Sequence, residues 1–400
     1  MEIFLLAAVT CLVVITIGSL INKYLRLPWM FTVVILGMTL SALGWFSETL
    51  QSDNFQFLAR LGMLFFLFTI GIDLDFSQIR KLGKHIILGD ILLTLVEGLL
   101  LGLFFYFIYP DFVNHSFGIA FLAGVAFGTV GEVILLALLK EFGLEKTRFG
   151  QLALGIGVFD DIFEIMALAI IVSLPGLNSQ NPADAPISAS LSIIITLVAI
   201  FIVTGVLSMA GKLIRGFFEK VKTNAFVIPF LIFLVVFAYI YFSSIGNENL
   251  GVIAAIFSGI AVQQIIPGKS LEQYKKPIFF FANMFLGPFF FLSLGGKMSL
   301  AALINYPLLV IAIMAISITT RVALSYLLFQ GILGKRQSLV MGIGLTAKFS
   351  TSVISENLLF TSGMIASPLY SAMMAAFIAL KPIIVGAFSS LLAKHKEIIE

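Results

Sequence analysis

Long apolar stretches separated by short polar breaks recur from one end of this 400-residue chain to the other. About 20 apolar residues at about 1.5 Å each cross the hydrocarbon of a bilayer as a helix. Inside lipid only helices and closed barrels satisfy their own backbone groups. The stretches therefore predict an all-α polytopic membrane protein. Its spans fall near 3–22, 28–46, 55–72, 85–109, 117–139, 149–174, 188–211, 225–244, 249–266, 278–296, 303–330, 337–360 and 366–392, thirteen in all. The run at 303–330 exceeds a simple span and predicts a tilted helix or an interfacial end. The run at 249–266 is short enough to be broken or re-entrant. Charged residues make up only 11% of the chain, against about 25% in a soluble domain, which leaves almost no room for one.

The polar breaks alternate in charge. Nineteen Lys and Arg fall on one side, from Lys23 and Arg26 to Lys394 and Lys396, and Lys297 stands alone on the other. The excess of positive charge on the inner side predicts an N-terminus outside and a C-terminus in the cytoplasm. A single cysteine, Cys11, excludes a disulfide framework. His85, His115 and His395 sit at segment ends and do not cluster, so no metalloenzyme, cofactor or nucleic-acid partner is expected. The first run has no basic leader and reads as a retained helix rather than a signal peptide. The chain stops at Glu400, a few residues past the last span, so no cytoplasmic regulatory domain is expected.

Thirteen spans divide as six, one and six. A single crossing between two six-helix units inverts the second, an architecture of secondary transporters. Repeat one is then about 3–174, the linker helix about 188–211 and repeat two about 225–392. The fifth spans of the two repeats, 117–139 and 337–360, correspond. One carries Gly128, Thr129, Gly131 and Glu132 in its middle, and the other Gly342, Gly344, Thr346, Lys348, Ser350 and Thr351. Both read as discontinuous helices that cross. Their half-helix ends carry about half a charge each, positive at N-termini and negative at C-termini, which Glu132 and Lys348 are suited to offset. A purely structural Glu132–Lys348 ion pair is the plainer reading.

The costliest residues are acids. Asp160 and Asp161 lie midway along the run from Phe149 to Leu174, and Glu164 follows one turn later. A carboxylate at mid-membrane costs about 2.5–3.5 kcal/mol on insertion scales and marks an ion or proton path. Adjacent residues on a helix point about 100° apart, so two partners are natural. Arg321, deep in 303–330, cannot be deprotonated and needs a partner. Asp160 or Asp161 is the expected one, and if Asp160 holds Arg321, Asp161 is left to bind a cation or proton. Glu164, Thr129, Ser350 and Thr351 are candidates to support the site. Asp90, Glu97 and Arg60 lie nearer their helix ends and are expected at the interface. Glu356 is a candidate to line an aqueous funnel.

These motifs resemble those of the bacterial monovalent cation:proton antiporter-2 family, which includes Na+/H+ and Kef-type K+/H+ exchangers. The resemblance spans nearly the whole chain. It rests on Leu25-Arg26-Leu27-Pro28, on the stretch Leu61 to Asp75, and most on Gly150-Gln151-Leu152 leading into Asp160-Asp161. It implies the sodium/proton antiporter fold. A dimerisation part would cover about 1–72 and 225–296, and an ion-transporting core about 85–174 and 303–392. It further implies a homodimer, residence in the bacterial inner membrane, and elevator-like alternating access. Asp161 would be the carboxylate for transported Na+ or K+ and for H+, Asp160 its neighbour, and Arg321 the basic partner. Glu132 and Lys348-Phe349-Ser350 depart from the family's usual residues, which leaves Na+ against K+ open. The main competitor is a sodium-coupled symporter of an organic anion, with Arg321 and Lys348 binding the substrate carboxylate. An intramembrane aspartyl enzyme is disfavoured because its two acids come from different helices, and a channel because opposed mid-membrane charges suit an occluded site.

Overall fold

The structure, a computed structural model, describes residues 2–74, 83–131, 135–136, 139, 143–144, 147–173, 187–220, 227–245, 248–348 and 351–394. The regular elements among them are helices. In chain order they are α1 (Glu2–Leu25), α2 (Trp29–Leu43), α3 (Asp53–Asp73), α4 (Lys84–Ile108) and α5 (Phe117–Phe127). Next come α6 (Arg148–Ser173), α7 (Ile187–Lys220), α8 (Val227–Ser244) and α9 (Leu250–Ile265). The helix α10 (Gly268–Phe280) continues through a π-turn at Phe281–Leu286 into Gly287–Gly296. The last four are α11 (Pro307–Leu333), α12 (Lys335–Gly344), α13 (Ser352–Thr361) and α14 (Ser367–Lys394). Among the described residues eight helices are long and apolar enough to cross a membrane. The 26-residue α6 is as long as these, but it carries three carboxylates in its middle.

The chain divides into two compact units. One comprises Met1–Thr10, Phe46–Asp75 and Val172–Leu294, and the other Cys11–Trp45, Phe76–Ile171 and Gly295–Glu400. The first is built on α9, which packs against α3, α7 and α8. Every residue of α9 except Gln263 and Gln264 is buried. This helix is continuous, where its short length predicted a broken or re-entrant segment. Small residues let the backbones meet: a Cβ on Gly71 would stand 2.0 Å from the Ile256 carbonyl oxygen, and one on Gly259 2.4 Å from that of Phe68. Without a hydrophobic drive between helices in lipid, such close backbone packing is what associates them. Phe65 adds aromatic contacts with Phe233, Phe237 and Phe281. At the end of α9, Arg215 donates to the carbonyls of Gln263 and Gln264 at 2.8 and 2.7 Å, a cation placed where the helix is negative.

In the second unit α4 presses on α5 through glycines. A Cβ on Gly98 would stand 2.5 Å from Val125 Cγ2, and one on Gly124 2.3 Å from the Gly98 carbonyl oxygen. Helix α11 packs against α4, α12 and α14, and α13 packs against α5 and α14. The expected long run at 303–330 resolves into a short helix, Leu300–Asn305, followed by α11, which starts at Pro307. Proline at the first helical position has no N–H to leave unpaired and so favours a new start there.

Substituting Gly71 by Val forces α3 and α9 apart and costs about 1–3 kcal/mol by overpacking. Gly205, which has nothing within 4 Å of a built Cβ, accepts Ala without loss. Thermal unfolding of the two purified variants checks the contrast: a lower midpoint for the first and an unchanged or higher one for the second.

Candidate functional site

Two interrupted helices form the floor of the site. Helix α5 stops at Phe127, where the Gly128 N–H bonds back to the Gly124 and Val125 carbonyls and Thr129 to Gly131 leave the helix. Helix α12 stops at Gly344, and Thr346 turns its hydroxyl onto the Ile343 carbonyl at 2.6 Å. Such local side-chain bonds compete with continuation of the helix. The chain becomes helical again at Ser352. The two breaks touch directly, since the Gly131 N–H donates to the Ala347 carbonyl at 2.7 Å. Breaks at both sites were legible in their glycines and hydroxyls. Glu132 and Ser350 lie outside the described residues. So does the side chain of Asp161, whose backbone belongs to α6. Thr129 is buried, with its hydroxyl on the Ala126 carbonyl at 3.2 Å, and Thr351 is buried with a hydroxyl that has no hydrogen-bond partner among the described residues.

The charges converge on Glu97. Its Oε2 accepts from Arg321 Nε at 2.5 Å, and its Oε1 lies 2.9 Å from Lys348 Nζ. All three side chains are 0% exposed. Lys348 Nζ also sits 5.0 Å from the ring centroid of Phe127, over a π-face at the negative end of α5. Beside this triad, Asp160 on α6 is held by two donors. The free N–H of Val130, exposed by the break in α5, reaches Oδ2 at 2.6 Å, and Thr94 Oγ1 reaches Oδ1 at 3.1 Å. Thr94 also accepts from Arg321 Nη2 at 3.3 Å.

Two expectations are corrected here. Among the described residues the ion pair of Arg321 is with Glu97, and Arg321 reaches Asp160 through the Thr94 hydroxyl rather than by direct pairing. Asp90 and Glu97 are fully buried, where an interfacial position was expected, and Glu97 stands at the middle of α4 rather than near its end. Distance from a helix end does not say which face of α4 meets α5, α6 or α11. A signal was present in the sequence: Asp90, Thr94 and Glu97 follow the i, i+4, i+7 spacing of one helical face. Ser317, Arg321 and Ser325, all buried, form a second such stripe on α11, and Asp160 and Glu164 a third on α6. Arg60 pairs with Glu248, in the connection between α8 and α9, as a residue near a span's end would. Glu356 is fully buried.

Among the described residues no group of three or more His, Cys, Asp or Glu could hold a metal ion. What the arrangement offers is a dry, pre-formed cluster in which two cations outnumber the carboxylate between them. Asp160, fixed by Val130 and Thr94, is placed to offset the second positive charge.

The family model described as sodium/hydrogen exchanger, transmembrane, matches residues 9–394. The chain belongs to the sodium/hydrogen exchanger family. Among its relatives, a probable Na+/H+ antiporter of Methanocaldococcus jannaschii is 24% identical over 390 residues, 96% of this chain and 94% of that one. The Na+/H+-K+ antiporter GerN of Bacillus cereus is 23% identical over 338 residues, 83% of this chain and 81% of that one. The solved structure of the sodium proton antiporter MjNhaP1 of Methanocaldococcus jannaschii is similar over 99% of both chains, with a TM-score of 0.64 at 16% identity, a likeness of fold. As a member of the sodium/hydrogen exchanger family the protein is an integral membrane transporter rather than an enzyme. The match is to the wider family and does not single out the antiporter-2 branch.

Replacing Glu97 by Gln leaves Arg321 and Lys348 buried without their counter-charge. Breaking a buried pair from one side costs about 3–5 kcal/mol. Glu97→Gln is therefore expected to lower the thermal midpoint of the purified protein clearly. Combining it with Lys348→Met is expected to restore part of the loss, which a double-mutant cycle measures.

Proposed function

We propose that the protein exchanges a monovalent cation, Na+ or K+, for H+ across the membrane, with Asp161 binding cation and proton in turn. The observation that carries this reading is the buried cluster at the two helix breaks. Asp160 accepts hydrogen bonds from Val130 and Thr94, and Arg321 and Lys348 are both engaged by Glu97. On this reading the Glu97 triad forms a fixed electrostatic frame, and Asp160 is the ion-binding neighbour of Asp161 that the Val130 and Thr94 donors hold in place. Asp161, next along α6, is the carboxylate left to change its occupant. A cation and a proton that compete for one carboxylate cannot be carried in the same direction at once, which makes the cycle an exchange. The two relatives, a probable Na+/H+ antiporter and a Na+/H+-K+ antiporter, are transporters of the same kind.

The wider reading keeps an elevator-like alternation of the site between the two sides and a homodimer. It places the protein in the inner membrane of a bacterium, N-terminus outside and C-terminus inside. It also keeps the two inverted repeats and the division into dimerisation part and ion-transporting core set out above. The organic-anion symporter is the weaker reading. It needs Arg321 and Lys348 to be open to a substrate carboxylate, and Glu97 already occupies both.

The test is proton movement in proteoliposomes after addition of Na+ or K+. Wild type is expected to move protons only when one of these cations is supplied, and Asp161→Asn to abolish that movement while purifying as a folded protein. Undiminished exchange in Asp161→Asn would remove Asp161 from the role.

A further inference from the structure

Asp90 is a carboxylate that the cluster above does not use. It lies one helical turn before Thr94 on the face of α4 that carries Glu97. It is fully buried, and neither of its oxygens has a hydrogen-bond donor among the described residues. Thr94, one turn further along the same face, donates to Asp160 at 3.1 Å, so the face of α4 that carries Asp90 is the one turned to Asp160 on α6. Two fully buried acids thus lie on adjoining faces of α4 and α6. Buried carboxylates normally meet donors, cations or metal ions. Asp160 has its donors in Val130 and Thr94, whereas Asp90 has none among the described residues.

A second buried oxygen lies on the neighbouring helix. Two contacts fix the register of α11 on α4: Arg321 on Glu97, and Phe329 closing over Gly89, where a Cβ would stand 2.7 Å from the ring. Ser325 is midway between Arg321 and Phe329 on the buried stripe of α11. The register therefore sets it opposite the turn of α4 that begins at Asp90. Its hydroxyl is buried and without a hydrogen-bond partner among the described residues.

We propose that Asp90 is a ligand of the transported cation, which it holds between its own carboxylate and that of Asp160. The proposal rests on the exchange reading and adds a residue from α4 to it. The chemistry fits a small monovalent cation. Hard cations take carboxylate, hydroxyl and carbonyl oxygens, and the number and spacing of those oxygens set the preferred ion. A carboxylate fixed on α4 opposite one fixed on α6 makes the gap between the two helices a selectivity-determining dimension. Thr94 ties Asp160 and Arg321 together across that gap and so helps to hold its width.

The experiment uses the full-length protein in proteoliposomes, with Li+, Na+ and K+ as probes at one fixed pH. Asp90→Asn is expected to raise the cation concentration for half-maximal exchange by at least about tenfold, the scale on which metal sites respond to loss of a supporting group. Asp90→Glu, which keeps the charge but advances it by one methylene, is expected to change the order of preference among the three ions. In detergent, Na+ or K+ is expected to raise the thermal midpoint of wild type over that in choline, and to do so less for Asp90→Asn. Half-maximal concentrations and ion order that match wild type in both variants overturn the proposal. If Asp90→Asn does not purify as a folded protein, Asp90→Glu decides alone, and an unchanged ion order in it overturns the proposal. The exchange reading fails differently, by absence of cation-driven proton movement in wild type.

Discussion

One buried carboxylate, Glu97, faces two buried cations that come from different places in the chain. Arg321 arrives on the continuous helix α11, and Lys348 from the break after α12. None of the three could be buried alone, because an isolated charge in a low-dielectric interior costs far more than a helix can repay. The position of each therefore depends on the other two. Through Lys348 the triad fixes one break, and the Gly131–Ala347 hydrogen bond passes that placement to the other. The open N–H at Val130 then has a defined direction, and Asp160 is what it meets.

The surrounding packing serves that arrangement. Gly98 and Gly124 let α4 and α5 approach closely enough for Glu97 to reach the ammonium group lying over Phe127. Phe127 itself stacks on Phe377 of α14 at 4.7 Å. The described part of the site is thus made of helices except at the two breaks, where the backbone presents polar groups that a whole helix would keep to itself. Irregular backbone at membrane depth is tolerated only where it is buried in protein or lines a cavity, and here it supplies a hydrogen-bond donor to a carboxylate.

Much of the fold was legible because its signals run along the chain. Apolar length marks the spans, and glycine with hydroxyl residues marks the breaks at Gly128–Gly131 and Thr346–Lys348. The site was legible in part. Asp160 and Arg321 stand out by cost, but the order of a sequence gives no azimuth of one helix against another. The conspicuous acids are therefore the expected partners of Arg321, while Glu97, although at the middle of its run, draws no notice as a lone acid in its turn of the helix. Its i, i+7 relation to Asp90, with Thr94 between, was the available clue. A stripe of three polar residues through an apolar helix predicts a buried polar face, and it names the face without naming what lies across from it. The length of α9 misled for a related reason: 16 residues are short for a span, yet a helix buried on nearly all sides need not match the bilayer.

The central claim is that this buried charge cluster serves the exchange of a monovalent cation for protons. The most direct measurement is transport by the reconstituted wild-type protein at a clamped membrane potential, with internal pH and solute uptake followed together. Addition of Na+ or K+, and not of choline, is predicted to move protons in the direction opposite to the cation. Sodium-driven uptake of an organic acid, with no cation-dependent proton movement, would contradict the account.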